Sequence, residues 1–359
     1  STAENYTRLD SAAATTLDFA GFDVSTVSFV DSFSVAAQEA SPRGMAFNTD
    51  GTKMFVIGNT ADAVNEYALT TGFDVSTASF TDAFSVASQE INPRGMTFNT
   101  DGTKMFIVGQ TGDDVNEYAL SAGFDVSTAS FVDSFSVSGQ DETPQGLKFN
   151  TDGSKMFVVG ETGNDINEYA LSTGFDVSTA SFTDSFSVAA QETAPSGVAF
   201  NSDGTKMFIV GSNVDTVFQY TLTTGFDVST ASYASISFSV ASQDNVVMDI
   251  AFNPAGDKMF IVGMQSDSIY EYTIPLALTL GTGSFASADV GKTIEANSGV
   301  FVLTATDGSY VESTTPTSYA QVASGSWSMY GVVYNTTDGD LELSSYLQGY
   351  SLSSGSKDG

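Results

Sequence analysis

The chain contains no cysteine and no histidine in 359 residues. Without cysteine there can be no disulfide and no thiolate zinc site, and the redox compartment leaves no mark on the sequence. Without histidine the commonest general base and metal ligand is missing, and with it every Ser-His or Cys-His dyad. Basic residues are scarce as well, 11 Lys and Arg against 43 Asp and Glu, for a formal net charge of −32. Such a surface repels phosphate backbones, so nucleic acid is not an expected partner. It favours solubility and could gather divalent cations. No apolar run approaches the ~20 residues of a membrane-spanning helix, so membrane insertion is not expected. The opening Ser1-Thr2-Ala3-Glu4 lacks the charged-then-apolar pattern of a signal peptide. That leaves a leader already removed, release by lysis, or a dedicated secretion apparatus.

What is abundant is Ser, Thr, Gly, Phe and Val, the composition of exposed β-structure, and it is organised in a repeat. The phrase Gly-Phe-Asp-Val-Ser-Thr begins at Gly21, Gly72, Gly123, Gly174 and Gly225, 51 residues apart each time. The same segments recur around each copy: S-F-x-D-x-F-S-V, a polar Gln-Glu or Gln-Asp loop, G-M-x-F-N, T-D-G-T-K-M-F-V-V-G and V-N-E-Y-A-L. The last copy drifts, with one residue inserted near Ala234 and Ala255-Gly256 in place of Asp-Gly.

Each unit reads as four strands. A short apolar strand at Met45–Asn48 leads to Asp50-Gly51, which predicts a type I′ turn. Lys53–Ile57 has no polar alternation after its lysine and suits a strand covered on both faces. Val64–Leu69 alternates, and Ser79–Val86 alternates more strongly, with Phe80, Phe84 and Val86 on one face. Polarity thus rises from the first strand to the fourth, as a propeller blade requires. A stacked β-solenoid is the rival, although it usually has shorter repeats and no polar edge strand. Outer-type strands precede each group of three, so the first has no blade of its own and the fifth group has no later outer strand. Pairing Phe29–Val35 with Ile269–Ile274 solves both problems and removes the open edges. The expected fold is all-β: a five-bladed β-propeller over 21–276, closed by its N-terminal strand, after an arm or linker at 1–20. A small all-β module at 277–345, with Trp327 as its core anchor, and a flexible tail at 346–359 follow.

The unit P-R-G-M-A-F-N-T-D-G-T-K-M-F-V-I-G resembles the repeats of bacterial and viral propellers that carry an "spDGkkmyv" phrase; this covers 21–276 and implies the fold but no task. The stretch Gly283–Ile294, with Gly325-Ser326-Trp327-Ser328, is similar to segments of tailed-phage virion proteins in tail fibres, spikes and head decorations. That likeness implies a virion-surface or extracellular protein.

Carboxylates are the remaining catalytic candidates, as in glycosidase propellers whose acid and base converge on an axial funnel. An acid and a base need different environments, yet here the acids repeat. Glu39, Glu90, Asp141, Glu192 and Asp244 stand in equivalent loops, and Asp62, Asp113, Asn164, Asp215 and Asp267 in equivalent turns. Such regularity points to architecture or repeated binding, and the expectation is no enzyme. The two acidic sets should share one face of the disc. A ring of acids would accommodate calcium, but no D-x-D-x-D spacing marks a dedicated loop, so no cofactor is required. Arg43 and Arg94, replaced by Gln145, Ser196 and Met248 in later units, form a lopsided basic pair that could hold an anionic group or pair with neighbouring acids. Tyr67, Tyr118, Tyr169, Tyr220 and Tyr272 could stack sugars or pack between blades. The functional expectation is a phage virion component that displays the propeller for adhesion, with other virion proteins and host glycans as partners and homo-oligomerisation an option. The alternatives are a lectin-like propeller with up to five equivalent sites, or a bacterial surface adhesin.

Overall fold

The computed structural model describes residues 17–275 together with short strands between 277 and 351, with side chains from 21 to 275. Two compact units are present, one spanning 22–274 and the other combining 1–21 with 275–359.

Residues 22–274 form five four-stranded antiparallel sheets. In the first blade the strands are Pro42–Phe47, Lys53–Gly58, Ala63–Leu69 and Ala78–Ser85, in that order outward. The innermost strands neighbour one another around a closed ring, the fifth touching the first. Burial follows the expected gradient. Met54 through Gly58 are buried, whereas five consecutive positions of the outer strand, Ser79–Ala83, are exposed. Phe80 is 45% exposed although Val86 is fully buried. A bulge skips Thr81 between Phe80 and Asp82 and interrupts the strict alternation. In the fourth blade the inserted residue enlarges this bulge, with Ser235 at φ 59°.

Closure occurs as the strand count requires. Ser28–Ser34 pairs antiparallel with Ser268–Thr273, from Ser28 opposite Thr273 to Ser34 opposite Ser268. The turn after the inner strand is not the expected type I′. Only Gly51 is left-handed (φ 71°), and the loop runs from Asn48 to Lys53, closed by Gly51 N–H to Asn48 O and Asn48 N–H to Lys53 O. A Cβ on Gly51 would lie 2.3 Å from the Phe73 ring, so space and φ both demand glycine.

That ring explains the recurring signature. Phe73 N–H donates to Gly51 O, Phe73 itself takes φ 57°, and its ring sits against Phe47 of the same blade and Phe260 of the neighbouring one. Asp74 then caps a single 3₁₀ turn, accepting from Ser76 N–H, and Val75 is fully buried. The preceding blade grips this loop: Glu271 accepts from Val75 N–H, while Lys258 donates to Phe73 O and pairs with Glu271 at 2.7 Å. The same clamp recurs with Lys53 and Glu66, Lys104 and Glu117, and Lys155 and Glu168.

In the second unit Leu17–Ala20 pairs with Ala277–Leu280. Thr293–Ala296, Gly299–Leu303 and Tyr310–Glu312 form a three-stranded sheet. Val333–Tyr334 pairs with Leu341–Glu342, and Tyr346–Leu347 with Tyr350–Ser351. Residues 1–16, the phage-like 283–292 and 325–328, Trp327 and the end of the tail lie outside the described residues.

Candidate functional site

The five glutamate or aspartate side chains of the polar loops are spent inside the protein. Glu39 is fully buried and accepts from the N–H groups of Ser41, Thr60 and Ala61. Glu90, Asp141, Glu192 and Asp244 do the same in their blades. They tie the loop before the inner strand to the loop after the second strand, which confirms that both acidic sets share one face. Asp62, Asp113, Asp215 and Asp267 hold left-handed turns (φ 47–51°), with carboxyls pushed up chiefly by burial. Among the described residues no group of three or more Asp, Glu, His or Cys side chains could hold a metal ion. The five tyrosines are buried between strands, 1% exposed at most, and offer no stacking face.

The axis is different. In every blade the second residue of the inner strand is a bulge: the register skips from Pro42 to Gly44, from Pro93 to Gly95, from Pro144 to Gly146, from Pro195 to Gly197 and from Val247 to Asp249. A bulge releases a residue from the ladder and re-aims its side chain. The five released residues are Arg43, Arg94, Gln145, Ser196 and Met248, the set in which the repeat breaks. Just beyond the second strand the equivalent positions also differ, with Asn59, Gln110, Glu161, Ser212 and Met264.

These residues form one polar cluster. Arg94 donates to Gln110 Oε1 at 2.5 Å, and Asn92 donates to the same oxygen at 3.0 Å. Gln145 Nε2 donates to Glu161 Oε1 at 2.9 Å. Arg43 leans on the Met248 sulfur at 3.6 Å. The Nε atoms of Arg43 and Arg94 and the Oε1 of Gln145 are buried without a hydrogen-bond partner. Burial, then repulsion from Arg94, pushes Arg43 down to about 10. Arg94 is lowered by burial too, while burial raises the Glu161 carboxyl against the pull of both arginines. The ion pairs among the described residues all belong to lysines. The arginines are therefore confined together, incompletely bonded and only distantly compensated, by Glu161 and by the buried Glu39 and Glu90.

One step further along the axis, four blades place glycine: Gly44, Gly95, Gly146 and Gly197. A Cβ on Gly44 would approach Arg94 O to 2.8 Å, so the neighbouring strand leaves no room. The fifth blade has Asp249, which is buried. Its Oδ2 accepts from Met45 N–H at 2.9 Å, its Oδ1 from Ile250 N–H at 2.8 Å, and Lys148 Nζ lies 4.0 Å away. Lys148 belongs to the third blade and Asp249 to the fifth, so the pair reaches across the axis.

No family model matches this chain, and no curated protein matches it. Solved structures similar to it include the periplasmic gluconolactonase of Pseudomonas aeruginosa, 16% identical over 77% of this chain and 74% of that one, with a TM-score of 0.40. A luciferin-regenerating enzyme is 10% identical over 68% of this chain and 95% of that one, with a TM-score of 0.43. The β-propeller domain of Myceliophteria thermophila Cps50 (Swd1) is 10% identical over 69% and 99%, at 0.41. The blade registers, not these likenesses, establish the propeller. Two of the three carry enzyme names, however, and the expectation that this chain is no enzyme is corrected on that finding. The physical fault in that expectation is plain. It weighed the carboxylates that repeat, whereas the charged residues that break the repeat meet on the axis.

The sequence pointed to Arg43 and Arg94 but missed Glu161, Lys148 and Asp249. The signal was present as departures from the 51-residue unit: an acid in the glycine column, a lysine in a column of Ala and Thr, and a glutamate in a column of neutral side chains.

Proposed function

We propose that this propeller recognises one small, anionic, hydroxylated molecule, such as a sugar acid or another hydroxy acid, at the axial mouth on the loop face. The observation that carries this reading is the pair of buried, unpartnered Nε atoms on Arg43 and Arg94. A carboxylate between them would accept charge-assisted hydrogen bonds and relieve the repulsion between the guanidinium groups. Gln145 and Glu161 stand beside them to bond hydroxyls, and Glu161, its carboxyl raised by burial, is placed to exchange a proton with one.

Calorimetric titration with gluconate and galacturonate tests the proposal. Binding should saturate at one ligand per chain and weaken about tenfold or more in Arg43→Gln and in Arg94→Gln, the loss of a charged hydrogen bond. Because ionised Glu161 offsets the arginine field, affinity should fall as the pH rises through its elevated pKa, and Glu161→Gln should flatten that profile. Five ligands per chain, or indifference to both arginine changes, would sink the reading.

A setting outside the cell or on a virion also belongs here as a proposal. Its support is the likeness of 283–294 and 325–328 to tailed-phage segments and the acidic, cysteine-free body. Among the described residues no helix is long and apolar enough to cross a membrane. Immunogold labelling of particles and cells from the producing culture checks it; label confined to the cell interior would refute it.

A further inference from the structure

The opposite end of the axis opens into a funnel of about 410 Å³. Its wall repeats with the blades: Phe47, Phe98, Phe149, Phe200 and Phe252, the last residues of the inner strands, are each half-buried around it. The asparagines that also line it are occupied in their turns; Asn48, for example, accepts from Lys53 N–H and donates to Thr52 Oγ1. Nearer the axis the lining residues are Ala46, Thr97, Lys148, Ala199 and Ala251. Among the described residues Lys148 is thus the only ionisable one lining the funnel, in a chain of net charge −32.

Lys148 also differs from the clamp lysines, each of which bonds a backbone carbonyl and pairs with a glutamate at 2.7 Å. Its carboxylate neighbour, Asp249, lies 4.0 Å away, with each oxygen already accepting a backbone N–H. Its side chain is 17% exposed. An apolar aromatic ring with one cation at its base and no carboxylate in its wall is complementary to a molecule with an apolar body and one anionic end. A cation would find no opposite charge in that wall, and the hydroxyls of Thr49, Thr100 and Thr151 already donate to backbone carbonyls of the next blade.

We propose that this funnel is a second ligand site, which takes a small monoanionic amphiphile, an aryl or alkyl carboxylate, with its carboxylate on Lys148 and its body among the five phenylalanines. The volume lies within the range of small-molecule pockets. Asp249 stands in the glycine column between the two ends of the axis, and none of Arg43, Arg94, Gln145 and Glu161 lines the funnel.

The test uses the whole chain with phenylacetate and octanoate as probes, and with 2-phenylethanol and octanol as neutral counterparts. Binding is followed by calorimetry and by ligand-observed NMR. The carboxylates should bind, and the alcohols should bind about tenfold or more weakly, the worth of one charge-assisted contact. Lys148→Met should abolish that preference. Because Lys148→Met leaves Asp249 without its cation, Lys148→Met/Asp249→Gly, which returns glycine to the axis, provides a second variant with the same expected loss. The carboxylate binding that Lys148→Met removes should persist in Arg43→Gln/Arg94→Gln, which separates this site from the one on the loop face. No binding of either acid, equal binding of acid and alcohol, or loss through the arginine variant alone would each overturn the proposal.

Discussion

Asp249 is the residue at which the architecture and the axial chemistry conflict. Burial raises its carboxyl, against weaker opposing pulls from Lys148 and from the N–H groups of Met45 and Ile250. The folded state therefore holds this proton to a higher pH than the unfolded chain, whose value is ~3.9. The stability this group contributes is complete below the unfolded value and is lost as the pH rises through the folded one. Asp249→Gly, which restores the residue of the other four blades, should then gain stability relative to the parent as the pH rises through the carboxylate range, an advantage that shrinks on acidification. Paired thermal melts across that range check it, and a gain of equal size at every pH would contradict it. Lys148→Ala works in the opposite direction, because it strands a buried carboxylate. Removal of one member of a buried pair costs about 3–5 kcal/mol, and a 4.0 Å separation places this pair at the lower end. Lys148→Ala/Asp249→Gly should recover most of that loss, and a double variant no better than the single one would show that the two charges are not coupled.

At the scale of the element, the clamp between blades is the recurring device, and one copy is altered. Where four blades have Glu66, Glu117, Glu168 and Glu271, the fourth has Gln219, whose Oε1 is buried without a partner. Lys206 nevertheless reaches Phe22 O at 3.1 Å, with its ammonium pushed down by burial. Gln219→Glu puts a charged acceptor where the Gln219 Oε1 is unbonded and should stabilise by about 1 kcal/mol, which corresponds to a rise of about 2–4 °C in Tm for a domain of this size. A fall in Tm would mean that this junction has adapted to the neutral side chain. The clamp also shows what was legible in the sequence. Strand number, order and burial could be read because each rests on local periodicity. The closure could be read because it follows from counting. The turn at Asn48–Lys53 was misassigned because Asp-Gly is compatible with more than one turn, and the Phe73 ring that decides between them arrives from 22 residues further on. The bulge that aims Arg43 at the axis leaves no local pattern at all. The chain adopts it because inner strands crowd at the ring, a constraint that exists only once five blades have closed.

For the whole molecule, the N-terminal segment carries a disproportionate share of stability. Residues 28–34 supply the outer strand of the fifth blade, and the first signature joins it there. Phe22 lies against Phe208 and Phe252, its N–H donates to Gly256 O, and Val24 and Val35 are fully buried. Phe22, Val24, Val27 and Val35 are the apolar anchors of this segment. At about 1.5–3 kcal/mol for each side chain buried, the four together are worth on the order of 8 kcal/mol. Whole domains are stable by only about 5–15 kcal/mol, so the ring should not survive without them. A chain beginning at residue 36 should lose its cooperative melt and aggregate through the bared edge of Ser268–Thr273. A synthetic peptide of residues 21–35, added in excess, should restore the melt, because the edge it fills is otherwise intact. A truncated chain that melts cooperatively without the peptide would show that four complete blades and three strands of the fifth hold together unaided, and that the closing strand is not what secures the ring.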